Sequence, residues 1–125
     1  MTSARATRIA AGLGFLAVAL GAFGAHGLKP LLASNGTVEM WEKAVFYHFI
    51  HTVMLYVLAQ KQPVAKWAFG FFLAGIGMFS GSLYVLALAK VHWLVFVTPF
   101  GGVSLLAGWV ALWRNIKHQA PNAKE

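Results

Sequence analysis

Four long apolar runs succeed one another along the chain, and nearly all of the charge lies in the short polar segments between them. A helix needs about 20 mostly apolar residues to cross the hydrocarbon core of a bilayer. Ile9–Leu28 and Trp67–Ala89 are such runs without a formal charge, and Val91–Trp113 is a third, with His92 at its mouth. Ala44–Ala59 is shorter, lies between Lys43 and Lys61, and contains His48 and His51. It reaches full length when its helix starts near Val38 with Thr37 as the N-cap. Glu39 and Glu42 then occupy the first turns, where the helix dipole favours negative charge. The pattern predicts an all-α membrane protein, a single domain over 1–125 built as a four-transmembrane-helix bundle. The helices are expected at about 9–28, 38–60, 67–89 and 91–113, with 114–125 as a cytoplasmic tail.

Within the runs, small residues recur at steps of four and three. The first run has Ala10, Gly14, Ala17, Gly21 and Gly24, the third Gly70, Ala74, Gly77 and Gly81, and the last Gly101, Ser104, Gly108 and Ala111, with Gly102 beside them. Such seams let helix backbones approach closely where lipid removes the hydrophobic drive for association. The second helix carries a different seam, Ala44, His48, His51, Leu55 and Leu58, so both histidines are expected to point into a tight core. Thr98-Pro99 interrupts the last run, and the lost backbone bond predicts a kink there. The alternative is a helix that starts at Pro99 with Thr98 as its cap. Arg5 and Arg8 before the first run, with Ala22 and Gly24 near its end, also resemble a signal peptide. The run is long for that role, and an uncleaved helix is the better reading.

Composition agrees with lipid as the main solvent. Of 125 residues 59% are hydrophobic and 10% charged, against about 25% charged in soluble domains. The net charge of +7 is spread singly or in pairs between apolar runs, unlike the clustered basic face of a nucleic-acid binder. With no cysteine, disulfides and thiolate chemistry are excluded. Lys and Arg mark the cytoplasmic loops. Arg5, Arg8, Lys61, Lys66, Arg114, Lys117 and Lys124 fall in the two terminal segments and the middle loop, against Lys29, Lys43 and Lys90 in the other two loops. Both termini are therefore predicted to be cytoplasmic, with Trp67 and Trp113 at the inner interface and Trp41 and Trp93 at the outer one.

Several segments together resemble a known family. Gly21-Ala22-Phe23-Gly24-Ala25-His26-Gly27-Leu28, Tyr47 with His51-Thr52, Phe79-Ser80-Gly81-Ser82-Leu83-Tyr84 and Thr98-Pro99-Phe100-Gly101-Gly102 occur in this order. The chain is similar, from the first helix through Trp113, to the YgdD-like family of small inner-membrane proteins. That is a domain-of-unknown-function family with transmembrane relatives in eukaryotes. The resemblance implies that His26, Tyr47, His51, Ser80, Ser82 and the Gly101-Gly102 pair belong to a shared core, and that the chain resides in the bacterial inner membrane. It implies no activity. The chain departs from the pattern at His48, where the bacterial members have Gln; Gln shares hydrogen bonding with His but not metal affinity.

The candidate polar core is therefore His26, Tyr47, His48, His51, Ser80, Ser82, Tyr84 and Thr98. Imidazole is a common metal ligand, so a haem or divalent-metal site on His26, His48 and His51 is one reading. Structural hydrogen bonding that fixes helix register is the preferred one, and no cofactor is expected. Ser80 and Ser82 lack an aligned base, and the chain has no Asp; a serine enzyme needs that base and an oxyanion hole. Glu39 and Glu42 are read as dipole compensation rather than a divalent-cation site. Three functions follow: a non-enzymatic bundle acting through lipid, a second copy or a membrane-protein partner; a small-solute or ion transporter with a polar path through His51, Ser80 and Ser82; and a metal or haem protein. The first is the reading adopted.

Overall fold

A computed structural model of the chain describes residues 1–119, with side chains through Asn115. The described residues are helical with no strand. Helix α1 is Ser3–Ala25, α2 Lys29–Asn35 and α3 Val38–Ala59. Helix α4, Lys66–Gly75, runs through a six-residue π segment, Ile76–Gly81, into α5, Ser82–Ala89. A 3₁₀ turn, His92–Phe96, leads into α6, Val97–Gln119. Ser3–Ala25, Lys66–Ala89 and His92–Asn115 are long and apolar enough to cross a membrane. Helix α3, with 22 residues, has the length, but its charged first turns and two histidines keep it out of that set.

Several boundaries differ from the sequence expectation. Helix α1 begins six residues before Ile9, because the Thr2 hydroxyl caps it by accepting from the Arg5 amide at 3.2 Å. It ends at Ala25 rather than Leu28, and the Leu28 amide bonds back to the Phe23 carbonyl at 2.8 Å. The segment expected as a loop contains α2, with Pro30 in its first turn and Gly36 closing it at φ 68°, the left-handed region that glycine enters without cost. Thr37 precedes α3 but does not cap it through its side chain. Its hydroxyl donates instead to the Ala87 carbonyl at 2.8 Å. Pro99 neither kinks a long helix nor starts one. The chain passes from the 3₁₀ turn into α6 at Val97, and Pro99 sits in the first turn, where an amide has no intrahelical partner to lose. The expected tail is helical through Gln119, and 120–125 lie outside the described residues.

Helix α3 is the element around which the others gather: α1 and α2 lie along it, as do α4, the π segment and α5, while α6 packs on α4 and the π segment. The close approaches follow a simple rule, a large group seated over a glycine. A Cβ on Gly24 would fall 2.2 Å from the Trp41 indole, and one on Gly108 2.5 Å from the Phe72 ring. One on Gly101 would fall 2.3 Å from the Phe79 backbone nitrogen. On α1, Gly14 and Gly21 face Thr52 and Val45 at 3.6 and 3.3 Å, and Gly102 meets the Phe79 ring at 3.8 Å.

The third small-residue seam is a correction. Gly70, Gly77 and Gly81 have open space where a side chain would be, and Ala74 is exposed. Phe69, Phe72, Ile76 and Ser80 occupy the inward face, because the bulky side chains fill the core while the small ones turn outward. Gly75 makes the close contact instead, against Leu105. Trp41 is a second correction: it is 2% exposed, not an interfacial belt residue, and its indole N–H donates to the Leu20 carbonyl at 2.9 Å. Trp67, Trp93 and Trp113 are all exposed.

Candidate functional site

The polar groups of the core are organised by α3. Residues three and four apart share a helix face, and Ala44, His48, His51, Leu55 and Leu58 form one buried stripe, with Thr52 beside it. The two histidines thus enter the interior one turn apart, and each meets a different neighbour.

His51 is fully engaged. Its Nε2 accepts from the Trp109 indole N–H of α6 at 3.1 Å. An indole only donates, so the other ring nitrogen carries the proton, and Nδ1–H donates to the Tyr47 carbonyl at 2.7 Å. These two bonds fix the ring in one orientation, with the Phe72 ring centroid 5.5 Å away. No lone pair is left for a metal.

His48 differs. Its Nδ1 lies 2.8 Å from the Tyr84 hydroxyl of α5, while Nε2 is buried without a hydrogen-bond partner. Thr52 Oγ1, one turn further along, is likewise buried and unpartnered. Both belong to side chains against α1, where the glycine at position 14 leaves room for the Thr52 methyl. Buried polar atoms without a partner are unusual in a core, since each costs about 1–3 kcal/mol.

The hydroxyls act as ties between helices. Ser80 Oγ, in the π segment, donates to the Ala44 carbonyl of α3 at 2.8 Å. Ser82 Oγ donates to the Phe79 carbonyl at 3.0 Å and lies 2.6 Å from Thr98 Oγ1 of α6, and Thr98 reaches the Leu94 carbonyl at 3.2 Å. Ser104 Oγ donates to the Phe71 carbonyl at 2.8 Å, joining α6 to α4. Interhelical hydrogen bonds of this kind average about 0.6 kcal/mol in a bilayer, so they align helices that the glycine contacts bring together.

The structure separates residues that the sequence grouped. His26 is exposed at the C-cap of α1. Because Gly24 packs on Trp41, His26 stands beyond the level of Trp41, and Trp41 lies seven residues before His48. At 1.5 Å per residue that is about 10 Å along the axis. The proposed trio of His26, His48 and His51 is not assembled, and among the described residues no three His, Cys, Asp or Glu side chains are grouped for a metal. Tyr47 is 38% exposed, with its ring 4.7 Å from that of Phe79, and its backbone rather than its phenol serves His51. Tyr84 joins the core through His48 and packs edge-on to Trp41 at 4.8 Å. Sequence reasoning missed Trp109, Thr52 and the buried role of Trp41. The last had a readable signal, an indole opposite the small residues of the first seam.

His26, Tyr47, His48, His51, Thr52, Ser80, Ser82, Tyr84 and Thr98 fall within a shared sequence. Residues 20–102 match the family described as protein of unknown function (DUF423). The chain is 44% identical over 119 residues to the UPF0382 inner membrane protein YgdD of Escherichia coli (strain K12), covering 90% of this chain and 88% of that one. It is 43% identical over 101 residues to a UPF0382 membrane protein of Staphylococcus epidermidis (strain ATCC 12228 / FDA PCI 1200), covering 78% and 82%. It is 40% identical over the same length to the UPF0382 membrane protein SAB0533 of Staphylococcus aureus. No solved structure matches.

Proposed function

The chain belongs to the DUF423 family and resides in the membrane like its relatives, and from that premise we propose that it is a four-span, non-enzymatic bundle acting through lipid, a second copy or a membrane-protein partner. The observation that carries this reading is that His51, Ser80 and Ser82 spend their hydrogen bonds on neighbouring protein groups. His51 has both ring nitrogens bonded, Ser80 and Ser82 bind backbone carbonyls, and glycines seat large groups of neighbouring helices. A serine nucleophile needs a free hydroxyl beside a base, and these hydroxyls serve as ties instead.

Helix α3 is the fourth span, and both termini face the cytoplasm. Ser3 Oγ donates to the Ala59 carbonyl, which supports the start of α1 and the end of α3 lying on one side. Lys66 and Arg114 line one groove, which supports the same side for the start of α4 and the later part of α6. Lys61, Lys66, Arg5, Arg8 and Arg114 gather at that end, as the cytoplasmic rule requires.

Two measurements test the reading. The chain has no cysteine, so Ser34→Cys and Lys61→Cys each provide a single thiol. In intact spheroplasts a membrane-impermeant maleimide should label position 34 and not position 61; the reverse overturns the topology. Sealed proteoliposomes holding the protein should show no flux of protons, monovalent cations or small solutes above empty vesicles. A saturable flux refutes the non-transporting bundle.

A further inference from the structure

The basic end of the bundle holds a groove of about 900 Å³ between α4 and α6. Lys66 and Arg114 stand at its rim, Trp67 beside them, and Phe71, Ala107 and Val110 line its walls. From Arg114 to Ala107 the groove descends seven residues, about 10 Å at 1.5 Å per residue. It is therefore polar and cationic at the mouth and apolar below, the profile of one lipid at the edge of a leaflet.

Charge complementarity points to the sign of the headgroup. The chain has three carboxylate side chains, Glu39, Glu42 and Glu125. The two that are described lie in the first turns of α3, at the opposite end from Lys66 and Arg114. No described carboxylate neutralises the two rim cations. An arginine fork and a lysine ammonium suit a phosphate, the first by paired hydrogen bonds and the second as a point charge. A tryptophan at the same level is at home at the headgroup boundary.

We propose that this groove seats one anionic phospholipid, with its phosphate between Lys66 and Arg114 and an acyl chain along Phe71, Ala107 and Val110. The proposal rests on the membrane-bundle reading above and gives that reading a lipid class. Basic pockets between membrane helices hold anionic headgroups in this way, and the volume lies within the range of small-molecule sites, about 300–1,000 Å³.

Full-length protein released from nanodiscs of equal phosphatidylglycerol and phosphatidylethanolamine, examined by native mass spectrometry, tests it. The wild-type chain should retain one phosphatidylglycerol in preference to phosphatidylethanolamine. Lys66→Gln with Arg114→Gln should lower that retention roughly 25-fold, from about fivefold for each basic residue beside an anionic surface. Val110→Trp, at an exposed position, should lower it with both cations intact by filling the groove. Arg5→Gln with Arg8→Gln, which removes equal charge outside the groove, should leave it within about twofold. The proposal is overturned if phosphatidylethanolamine is kept as well, if Val110→Trp retains lipid like the wild type, or if the Arg5 and Arg8 pair matters as much as the rim pair. Loss of lipid preference in vesicles that stay free of flux removes the groove alone. Flux with the preference intact removes the non-transporting bundle and leaves the lipid site standing.

Discussion

At one end of the bundle α2 folds over α1 and α5, Trp41 fills the hollow above Gly24, and Asn35 and Thr37 both donate to the Ala87 carbonyl, at 3.1 and 2.8 Å. At the other end the chain passes from α3 to α4 through Lys61 and Pro63, and α4 and α6 part around an open groove rimmed by cations. The length of the connection does not explain the contrast. Twelve residues, 26–37, join α1 to α3, and six, 60–65, join α3 to α4, yet the longer link gives the closed end. What closes it is a large ring placed opposite a glycine and a carbonyl with two donors. At the other end a ring also meets a glycine, Phe72 over Gly108, but six residues in from Arg114 rather than at the groove's mouth.

The sharpest way to break this contrast is to enlarge a side chain at each end. Gly24→Leu must displace the Trp41 indole, and overpacking of that kind should cost about 3 kcal/mol. Val110→Trp adds a comparable volume at the open end, where a surface change is usually within about 0.5 kcal/mol. Thermal unfolding in detergent, followed by circular dichroism, gives both values; equal losses would show that the two ends do not differ as described. A smaller effect is expected from the shared acceptor. Thr37→Val or Asn35→Ala alone should cost about 1 kcal/mol or less, because the other donor still serves Ala87. The double variant should exceed the sum of the singles by about 0.5 kcal/mol or more. Simple additivity in that cycle would mean that the carbonyl has further partners. Of similar size to the single variants, Gly36→Ala should cost about 1 kcal/mol by forcing a side chain into the left-handed region at φ 68°, and the smallest effect is expected of Gly77→Ala, which faces open space and should be neutral or slightly stabilising. If the Gly36 variant unfolds at the wild-type temperature, the turn after α2 is not part of what closes that end.

Much of this architecture is written in the order of apolar and polar residues. The apolar runs located the long helices, and the His48, His51, Leu55 stripe located the buried face of α3, because a three–four spacing fixes a face without knowledge of its partner. The small residues of α1 and α6 were readable for a different reason: their large counterparts, Trp41 and Phe72, lie at matching depths on adjacent helices. The same spacing misled on Lys66–Ala89. A stripe of small residues is as compatible with lipid as with a neighbour, and there Phe69, Phe72 and Ile76 took the inner side. His26 falls with His48 and His51 in the outer half of the predicted bundle, yet its exposed position past the end of α1 puts it outside the core. Trp109 bore no mark of its role, since an indole in an apolar run shows its function only when an acceptor such as His51 is found at the same height.

The six residues Ile76–Gly81 wind more widely than an α-helix, and such a turn accommodates one more residue than the ladder on either side of it. The two halves of this rod therefore need not share one angular setting. The stretch before the widened turn directs Phe72 and Gly75 to α6, and the stretch from Ser80 onward directs its hydroxyl and the Tyr84 phenol to α3. A uniform helix offers a single stripe and so serves a single seam along its length. By changing pitch once at mid-depth, this rod shifts its packing from α6 toward α3, two helices that also meet directly where Trp109 donates to His51.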